Sequence, residues 1–252
     1  MNMQGTLSGK VALVTGAGKN IGRAIALRLA ADGACVVVNG RRDATALEAV
    51  VSEINGRGGQ AVMALADVSD PAAVGRMVSD AAAAFGGIDI LVSNAGLRRQ
   101  TPFLDMSLDE WREILSVALD GAFILARAVA PHMIRRGGGA IVALSGISTH
   151  IGTANRCHVS ASKAGLEGLI RALAIELAPH GITANCVAPG SVDTVRGESA
   201  GGRPANLDDA SIPLRRKATV DDIAGMVRHL AGPDGAYITG QTIHVNGGRY
   251  LT

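Results

Sequence analysis

A glycine-rich turn near the start of the chain has the composition of a phosphate-binding loop. The residues Thr15–Gly22, TGAGKNIG, follow the apolar run KVALVT and precede a segment with helical periodicity. Amides at a helix N-terminus favour negative charge, and glycine lets the backbone approach a ligand closely. Between a strand and a helix, this pattern indicates a site for the pyrophosphate of a dinucleotide. A tight turn without a ligand is the alternative.

A second group of chemically active side chains lies around Lys163. Lys163 and Val159 are one helical turn apart and share a face. The ordinary pKa of histidine suits proton transfer near neutrality, but on a regular helix His158 points about 100° away from position 159. Ser145 and Ser148 follow an apolar run, and either hydroxyl is a candidate to contact a substrate. A core or helix-start histidine is the simpler interpretation of His158.

Apolar runs alternate with helical patterns along nearly the whole chain. The predicted strands are 10–15, 35–39, 61–66, 88–93, 140–144, 183–187 and 242–245, and the predicted helices are 21–31, 44–54, 72–85, 108–135, 160–178 and 220–230. This order predicts an α/β fold of one domain, a doubly wound, Rossmann-type parallel sheet of about seven strands with helices on both faces. The long polar stretch 190–213 is predicted to cover a ligand, and the alternative is a flexible surface loop that covers none.

Several short motifs resemble those of the short-chain dehydrogenase/reductase family, from about residue 8 to residue 248. TGAGKNIG is similar to its TGxxxGxG turn, with Asn20 in place of the middle glycine. The family also has an NAG motif after a strand, an adenine-contacting pair, a PG-x-x-x-T segment beside the nicotinamide and a C-terminal TGQ signature. The resemblance implies cofactor contacts from Gly16, Gly18, Lys19, Asn20, Ile21, Gly22, Asp67, Val68, Asn94, Ala95, Gly96, Lys163, Pro189, Gly190, Val192 and Thr194.

The end of the second predicted strand bears on the choice of cofactor. An NAD site usually has a carboxylate there, bonded to the ribose hydroxyls. Here that place falls on Gly40, and Arg41 follows it, while Lys19 adds a cation beside the glycine turn. Glycine leaves room for a 2′-phosphate and the two cations can bind it, so the sequence predicts NADP(H). Alternatively, Arg41 is only a solvated residue at the start of the next helix.

The resemblance also implies an altered catalytic set. The family's asparagine, serine, tyrosine and lysine fall on Ala118, Gly146, Val159 and Lys163. In the family the tyrosine protonates the substrate oxygen, and losing a general acid typically costs about 10²–10⁴ in rate, or roughly 3–5 kcal/mol. Lys163 is still expected to bind the nicotinamide ribose. Tyr250 would replace the tyrosine only if the C-terminal tail folded over the site.

Three functions fit this pattern. The first is an NADP(H)-dependent oxidoreductase that transfers hydride to a C=N or C=O carbon, and an iminium carbon needs no acid on its partner atom. The second is a lyase or isomerase that retains the nucleotide, and the third is a non-catalytic NADP(H)-binding protein. Arg98, Arg99 and Arg156 are candidates for a basic wall around an anionic substrate, or are simply solvated charges.

Composition narrows the classes of partner. Among the 252 residues, 48% are hydrophobic, the net charge is +2 and no long basic run occurs, which argues against nucleic acid. No secretory signal and no segment of membrane-spanning length are expected. The three cysteines lack the spacing of metal ligands, so no metal is predicted. The expectation is a cytoplasmic protein with a small-molecule substrate, and the resemblance implies a homo-oligomer, a tetramer or dimer.

Overall fold

Short apolar strands form the centre of the molecule. The structure is a computed structural model that describes residues 5–195 and 209–252, and within them seven strands form one parallel sheet in the order β3-β2-β1-β4-β5-β6-β7. The strands are β1 Val11–Val14, β2 Cys35–Gly40, β3 Gln60–Leu65, β4 Ile90–Ser93, β5 Gly139–Leu144, β6 Ile182–Pro189 and β7 Thr242–Val245. This confirms the predicted fold class.

Helices cover both faces of the sheet. They are α1 Asn20–Ala31, α2 Ala44–Gly56, α3 Pro71–Phe85, α4 Leu108–Leu115, α5 Gly121–Arg135, α6 Ser148–Ile151, α7 Cys157–Leu177 and α8 Val220–Ala231, with 3₁₀ turns at Phe103–Asp105, Ala178–His180, Asp209–Ser211 and Pro233–Gly235. Local sequence sets several of their ends. Asp70 accepts hydrogen bonds from the amides of Ala72 and Ala73 at the start of α3, and Gly86, with φ 81°, ends that helix.

The pleat of the strands divides the core into two layers. Ala12 and Val14 face the cluster that contains α1 and α8, whereas Val11 and Leu13 face the cluster formed with α3, α5 and α7. All four residues of β1 are buried because helices cover both faces. Between β1 and β4 the chain changes direction along the sheet, and this switch point is where ligands bind in sheets of this kind.

The predicted helix 108–135 is interrupted by one π-helical turn. This turn, Ser116–Asp120, separates α4 from α5, and the amide of Gly121 bonds to the carbonyl of Ser116, five residues earlier. Apolar periodicity continues through the turn, so the sequence pattern did not reveal it. Such π-turns are frequent at functional sites.

The sequence predicted no segment of membrane-spanning length, and this segment contradicts that expectation. Counted through the π-turn, the helical segment Leu108–Arg135 has 28 residues and is long and apolar enough to cross a membrane by length and composition alone. Its inner residues, Leu125, Val129 and Met133, are fully buried in the core layer that also contains α3 and α7. Core helices of this length satisfy the same criterion, so the segment carries no further conclusion.

Candidate functional site

The turn after β1 is tied to the segment after β4. The hydroxyl of Thr15 accepts hydrogen bonds from the amides of Asn94 and Ala95, each at 3.0 Å. The side-chain amide of Asn94 donates to the carbonyls of Thr15 and Gly16, at 2.8 and 3.2 Å. These bonds hold the two predicted cofactor motifs together at the switch point of the sheet.

The glycine turn leaves a cradle that side chains would fill. Gly16 has φ 61°, and a Cβ there would lie 3.0 Å from the Asn94 side chain. A Cβ on Gly22 would lie 2.2 Å from the carbonyl oxygen of Gly16, so only glycine permits this start of α1. Lys19, the N-cap, makes no side-chain capping bond, which leaves the first amides of α1 available to a ligand. The cradle therefore fits a pyrophosphate.

Asn20, which stands in place of the middle glycine of the turn, also bonds to a segment distant in sequence. Its φ is 51°, a left-handed conformation that asparagine tolerates better than most residues. Its side chain donates to the carbonyl of Val195 at 2.9 Å and accepts from the Val195 amide at 3.0 Å. The glycine turn is thus tethered to Val195, in the segment that follows β6.

A small cavity of about 150 Å³ opens beside the ends of β1, β2 and β3. Its lining includes Gly16, Gly40, Arg41, Asp67, Val68, Ala95 and Gly96. Arg41 lies 3.6 Å from the Asp67 carboxylate. Partial burial opposes ionisation of Asp67, but hydrogen bonds from Ser69 and the charge of Arg41 outweigh it, so the pKa of Asp67 lies below its ordinary value. The cavity has the position expected for the adenine end of a dinucleotide.

A larger cavity of about 250 Å³ adjoins the first through Gly96 and Leu97. It collects most of the remaining predicted site residues: Ile21, Asn94, Ser145, Ser148, Val159, Lys163, Pro189, Gly190, Val192 and Thr194. Part of the predicted covering loop 190–213, residues 196–208, lies outside the described residues. Its described start lines the cavity and is joined to Ala218 by a bridge from Val192.

Lys163 lies in the wall of this cavity. Its ammonium donates a hydrogen bond to the carbonyl of Leu144, at the end of β5. Burial, with the nearby charge of Arg98, lowers the pKa of Lys163 to about 8, although a thiolate at Cys186 would act in the opposite direction. Val159, one turn earlier on α7, also lines the cavity and is buried.

His158 does not reach the cavity. Its ring is fully buried on the other side of α7, where Nε2 lies 3.1 Å from a carboxylate oxygen of Glu110. Its Nδ1 accepts a hydrogen bond from the Val159 amide at 3.0 Å. Because α7 begins regularly at Cys157, earlier than predicted, the ring points away from position 159.

The hydroxyl of Ser145 is engaged away from the cavity centre. Ser145 donates to the buried carboxylate of Glu167, and Nε2 of His150 lies 3.1 Å from the same oxygen. The His150 ring contacts His244 and Tyr250, with ring centres 4.6 and 5.1 Å away. Tyr250 therefore packs into a cluster beside the site and does not line the cavity. Sequence reasoning missed Glu167 because one carboxylate in an amphipathic helix gives no pattern.

Ser148 is the serine best placed to contact a ligand. It lines the cavity, and its hydroxyl oxygen lies 3.9 Å from where a Cβ on Gly146 would stand. The short helix α6, which the sequence did not predict, holds it there. The hydroxyl of Ser148 thus lies near the space that a side chain at position 146, two residues earlier, would occupy.

Of the three arginines suggested as a basic wall, two line the cavity. Arg156 and Arg98 both do so, and Arg156 is buried. Arg99 instead forms an ion pair with Glu113 at 2.6 Å. The sequence does not distinguish Arg98 from Arg99, because adjacent arginines carry the same charge. The structure places Arg98 at the cavity and Arg99 beside Glu113.

Comparison with known proteins agrees with this geometry. A family described as enoyl-(acyl carrier protein) reductase matches residues 16–249. The chain belongs to the short-chain dehydrogenase/reductase family. Members of this family include a 3-oxoacyl-[acyl-carrier-protein] reductase from Synechocystis, which is 40% identical over 246 residues, 97% of this chain and 98% of that protein.

Two solved structures share the whole architecture. One from Burkholderia cenocepacia, in complex with NADP, is 39% identical with a TM-score of 0.90, covering 97% of this chain and 99% of that one. A blue fluorescent protein from a metagenomic library, in complex with NADPH, is 37% identical with a TM-score of 0.91, covering 98% of this chain and 100% of that one.

Proposed function

We propose that this short-chain dehydrogenase is an NADP(H)-dependent oxidoreductase that transfers hydride to a C=N or C=O carbon without a proton from position 159. The observation that supports this most directly is the larger cavity, where the aliphatic Val159 and the cationic Lys163 share one wall. NADPH, when bound, supplies the hydride, and the chain supplies binding, orientation and electrostatic control.

The cofactor proposal depends on the charges around the two cavities. The glycine cradle suits the pyrophosphate, and Asp67 and Val68 suit the adenine. Gly40 leaves space at the end of β2, and Arg41 lies beside that space with Lys19 near the turn. The guanidinium of Arg41 would exchange its 3.6 Å pairing with Asp67 for the 2′-phosphate. Two structures that resemble the chain were solved with NADP and NADPH.

The active site is proposed to lack the family's usual proton donor. Ala118, which matches the family's asparagine, is buried in the π-turn, and Val159, which matches its tyrosine, has no group that can donate a proton. Lys163 retains its position for binding ribose hydroxyls. Ser148 is the candidate to hydrogen-bond a substrate atom in place of a serine at 146.

This arrangement favours a C=N substrate. A protonated imine already carries the proton that the product amine keeps, so hydride transfer to its carbon balances without an acid from the protein. A ketone needs a proton on its oxygen as the hydride arrives, and losing that donor typically costs about 10²–10⁴ in rate. The relatives named as 3-oxoacyl reductases act on C=O groups, so ketone substrates remain in the test.

The deciding experiment restores the tyrosine and the serine. The wild type and the variants Val159→Tyr and Val159→Tyr/Gly146→Ser are assayed with NADPH against matched cyclic imines and ketones. We expect the wild type to reduce imines and the double variant to gain about 10²–10⁴ in ketone reduction. Ile170→Val, in the core of the same helix, controls for general effects of substitution on α7.

Two results would contradict the proposal. Rapid ketone reduction by the wild type, unchanged by Val159→Tyr, would show that another group donates the proton and would contradict the preference for C=N substrates. Tight NADPH binding with no turnover of any imine, ketone or activated alkene would favour a non-catalytic nucleotide-binding protein.

We also propose a cytoplasmic homo-oligomer, a dimer or tetramer, as the family resemblance implies. Apolar side chains are exposed on the outer faces of the long helices, including Phe123 on α5 and Ile175 on α7, which is 80% exposed. Faces of this kind are typical of subunit contacts. Sedimentation of the purified protein as a monomer would contradict this proposal.

A further inference from the structure

We propose that the substrate is a small carboxylic acid, and that Arg156 and Arg98 bind its carboxylate beside the reducible carbon. The inference rests on the proposed function and names the substrate class of the same site. It depends on two guanidinium groups that line the larger cavity from different segments of the chain.

Arg156 is the main element of this carboxylate site. It immediately precedes α7, three residues before Val159, and only 8% of its surface is exposed. A guanidinium presents two parallel N–H donors that match the two oxygens of a carboxylate, and low exposure strengthens such a charged hydrogen bond. A carboxylate bound here would lie next to the wall formed by Val159.

Arg98 approaches the cavity from the segment after β4. It lines the same cavity as Lys163, and its charge helps to lower the pKa of that ammonium. The two arginine segments are joined, because the amide of Thr101 donates to the carbonyl of Asn155 at 2.9 Å. This bond fixes the distance between the two segments and makes one anion-binding wall from them.

The size of the cavity limits the acid. About 250 Å³ lies below the range of roughly 300–1,000 Å³ that is typical of ligand sites, and the nicotinamide end of the cofactor must share it. This volume favours an acid of a few carbon atoms whose C=N or C=O carbon is adjacent to the carboxylate. The carboxylate is unchanged in the reaction; the carbon gains the hydride, and the nitrogen of a protonated imine keeps its proton.

The test uses pairs of ligands that differ only in charge. The probes are 1-pyrroline-2-carboxylate and pyruvate, each with its carboxamide, titrated by calorimetry into the protein loaded with NADP⁺. The acids are expected to bind more tightly than the amides. Arg156→Gln is expected to weaken the acids by roughly 10–100-fold and leave the amides unchanged. Arg156→Lys, which keeps the charge without the fork, is expected to recover part of this loss.

Arg99→Gln is the matched control, because it removes a neighbouring guanidinium that pairs with Glu113 outside the cavity. It is expected to bind the acids as the wild type does. Equal binding of acid and amide by the wild type, or an equal loss in Arg156→Gln and Arg99→Gln, would overturn the inference. Thermal melting checks that each variant is folded.

The same measurements separate this inference from the proposed function. Binding of the acids that depends on Arg156, without oxidation of NADPH when that cofactor is supplied, would support the carboxylate site and contradict the proposed hydride transfer. Turnover of imines or ketones with no preference for the acids would support the hydride transfer and overturn the carboxylate site.

Discussion

At the scale of single residues, the sequence predicted which residues lie near the site better than it predicted where their side chains point. The sequence placed Lys163 and Val159 on one helical face, and the structure brings both to the cavity wall. His158 is adjacent in sequence yet faces Glu110, because one step along a helix turns a side chain by about 100°. The engagement of Ser145 by Glu167 joins residues 22 positions apart, and no local pattern carries such a contact.

Lys163 gives a prediction about stability and pH. Its pKa is 10.5 in an unfolded chain and about 8 in the folded, cofactor-free protein. Between these values the unfolded state binds more protons, so the free energy of unfolding should rise as the pH increases from 8 to 10.5. The increment is at most about 3.4 kcal/mol, and smaller where water reaches the side chain.

Urea denaturation across this pH interval measures the effect. Lys163→Met should lose the rise, because methionine does not titrate, while its core contacts keep the variant folded. Comparing the slopes of wild type and variant cancels the other groups that titrate in the same range. Identical slopes would show that folding does not lower the pKa of Lys163.

At the scale of elements, periodicity predicted the strands and long helices, with ends that differ by a few residues. It missed the π-turn Ser116–Asp120 and the short helix α6, since neither changes the apolar pattern over a long enough window. Both lie beside the cavities, with Val117 lining one and Ser148 the other. The elements that the sequence did not reveal are thus those that shape the site.

The tether between α1 and the segment after β6 gives a prediction at this scale. Asn20→Gly keeps the left-handed backbone, which glycine adopts freely, and removes both hydrogen bonds to Val195. We expect the loss of these two exposed hydrogen bonds, each of modest net strength, to raise the dissociation constant of NADPH roughly 3–10-fold. Fluorescence titration measures it.

Asn155→Gly supplies the control for a new glycine at a left-handed position, since Asn155 has φ 62°. It should share any loss of thermal stability that comes from backbone freedom in the unfolded state. If Asn20→Gly binds NADPH as tightly as the wild type, the tether does not contribute to cofactor binding.

At the scale of the whole molecule, the two cavities make one continuous ligand site across the sheet. The smaller lies beside β1, β2 and β3 and the larger beside β4, β5 and β6, and Gly96 and Leu97 border both. A dinucleotide that spans them would contact both halves of the fold. Binding to the native state alone raises the melting temperature according to affinity, so global stability reports cofactor choice.

Thermal unfolding with NADP⁺ and with NAD⁺ therefore tests the role of Arg41. NADP⁺ should stabilise the wild type more, and Arg41→Ala should weaken NADP⁺ by roughly 10–100-fold while leaving NAD⁺ nearly unchanged. Gly40→Asp should reverse the preference, although its Cβ would lie 3.0–3.4 Å from three atoms of the buried Leu47 side chain, which must shift slightly. Arg42→Ala, next in sequence but outside the cavity lining, is the control. Equal stabilisation of the wild type by both nucleotides would mean that Arg41 remains paired with Asp67 and does not select the phosphate.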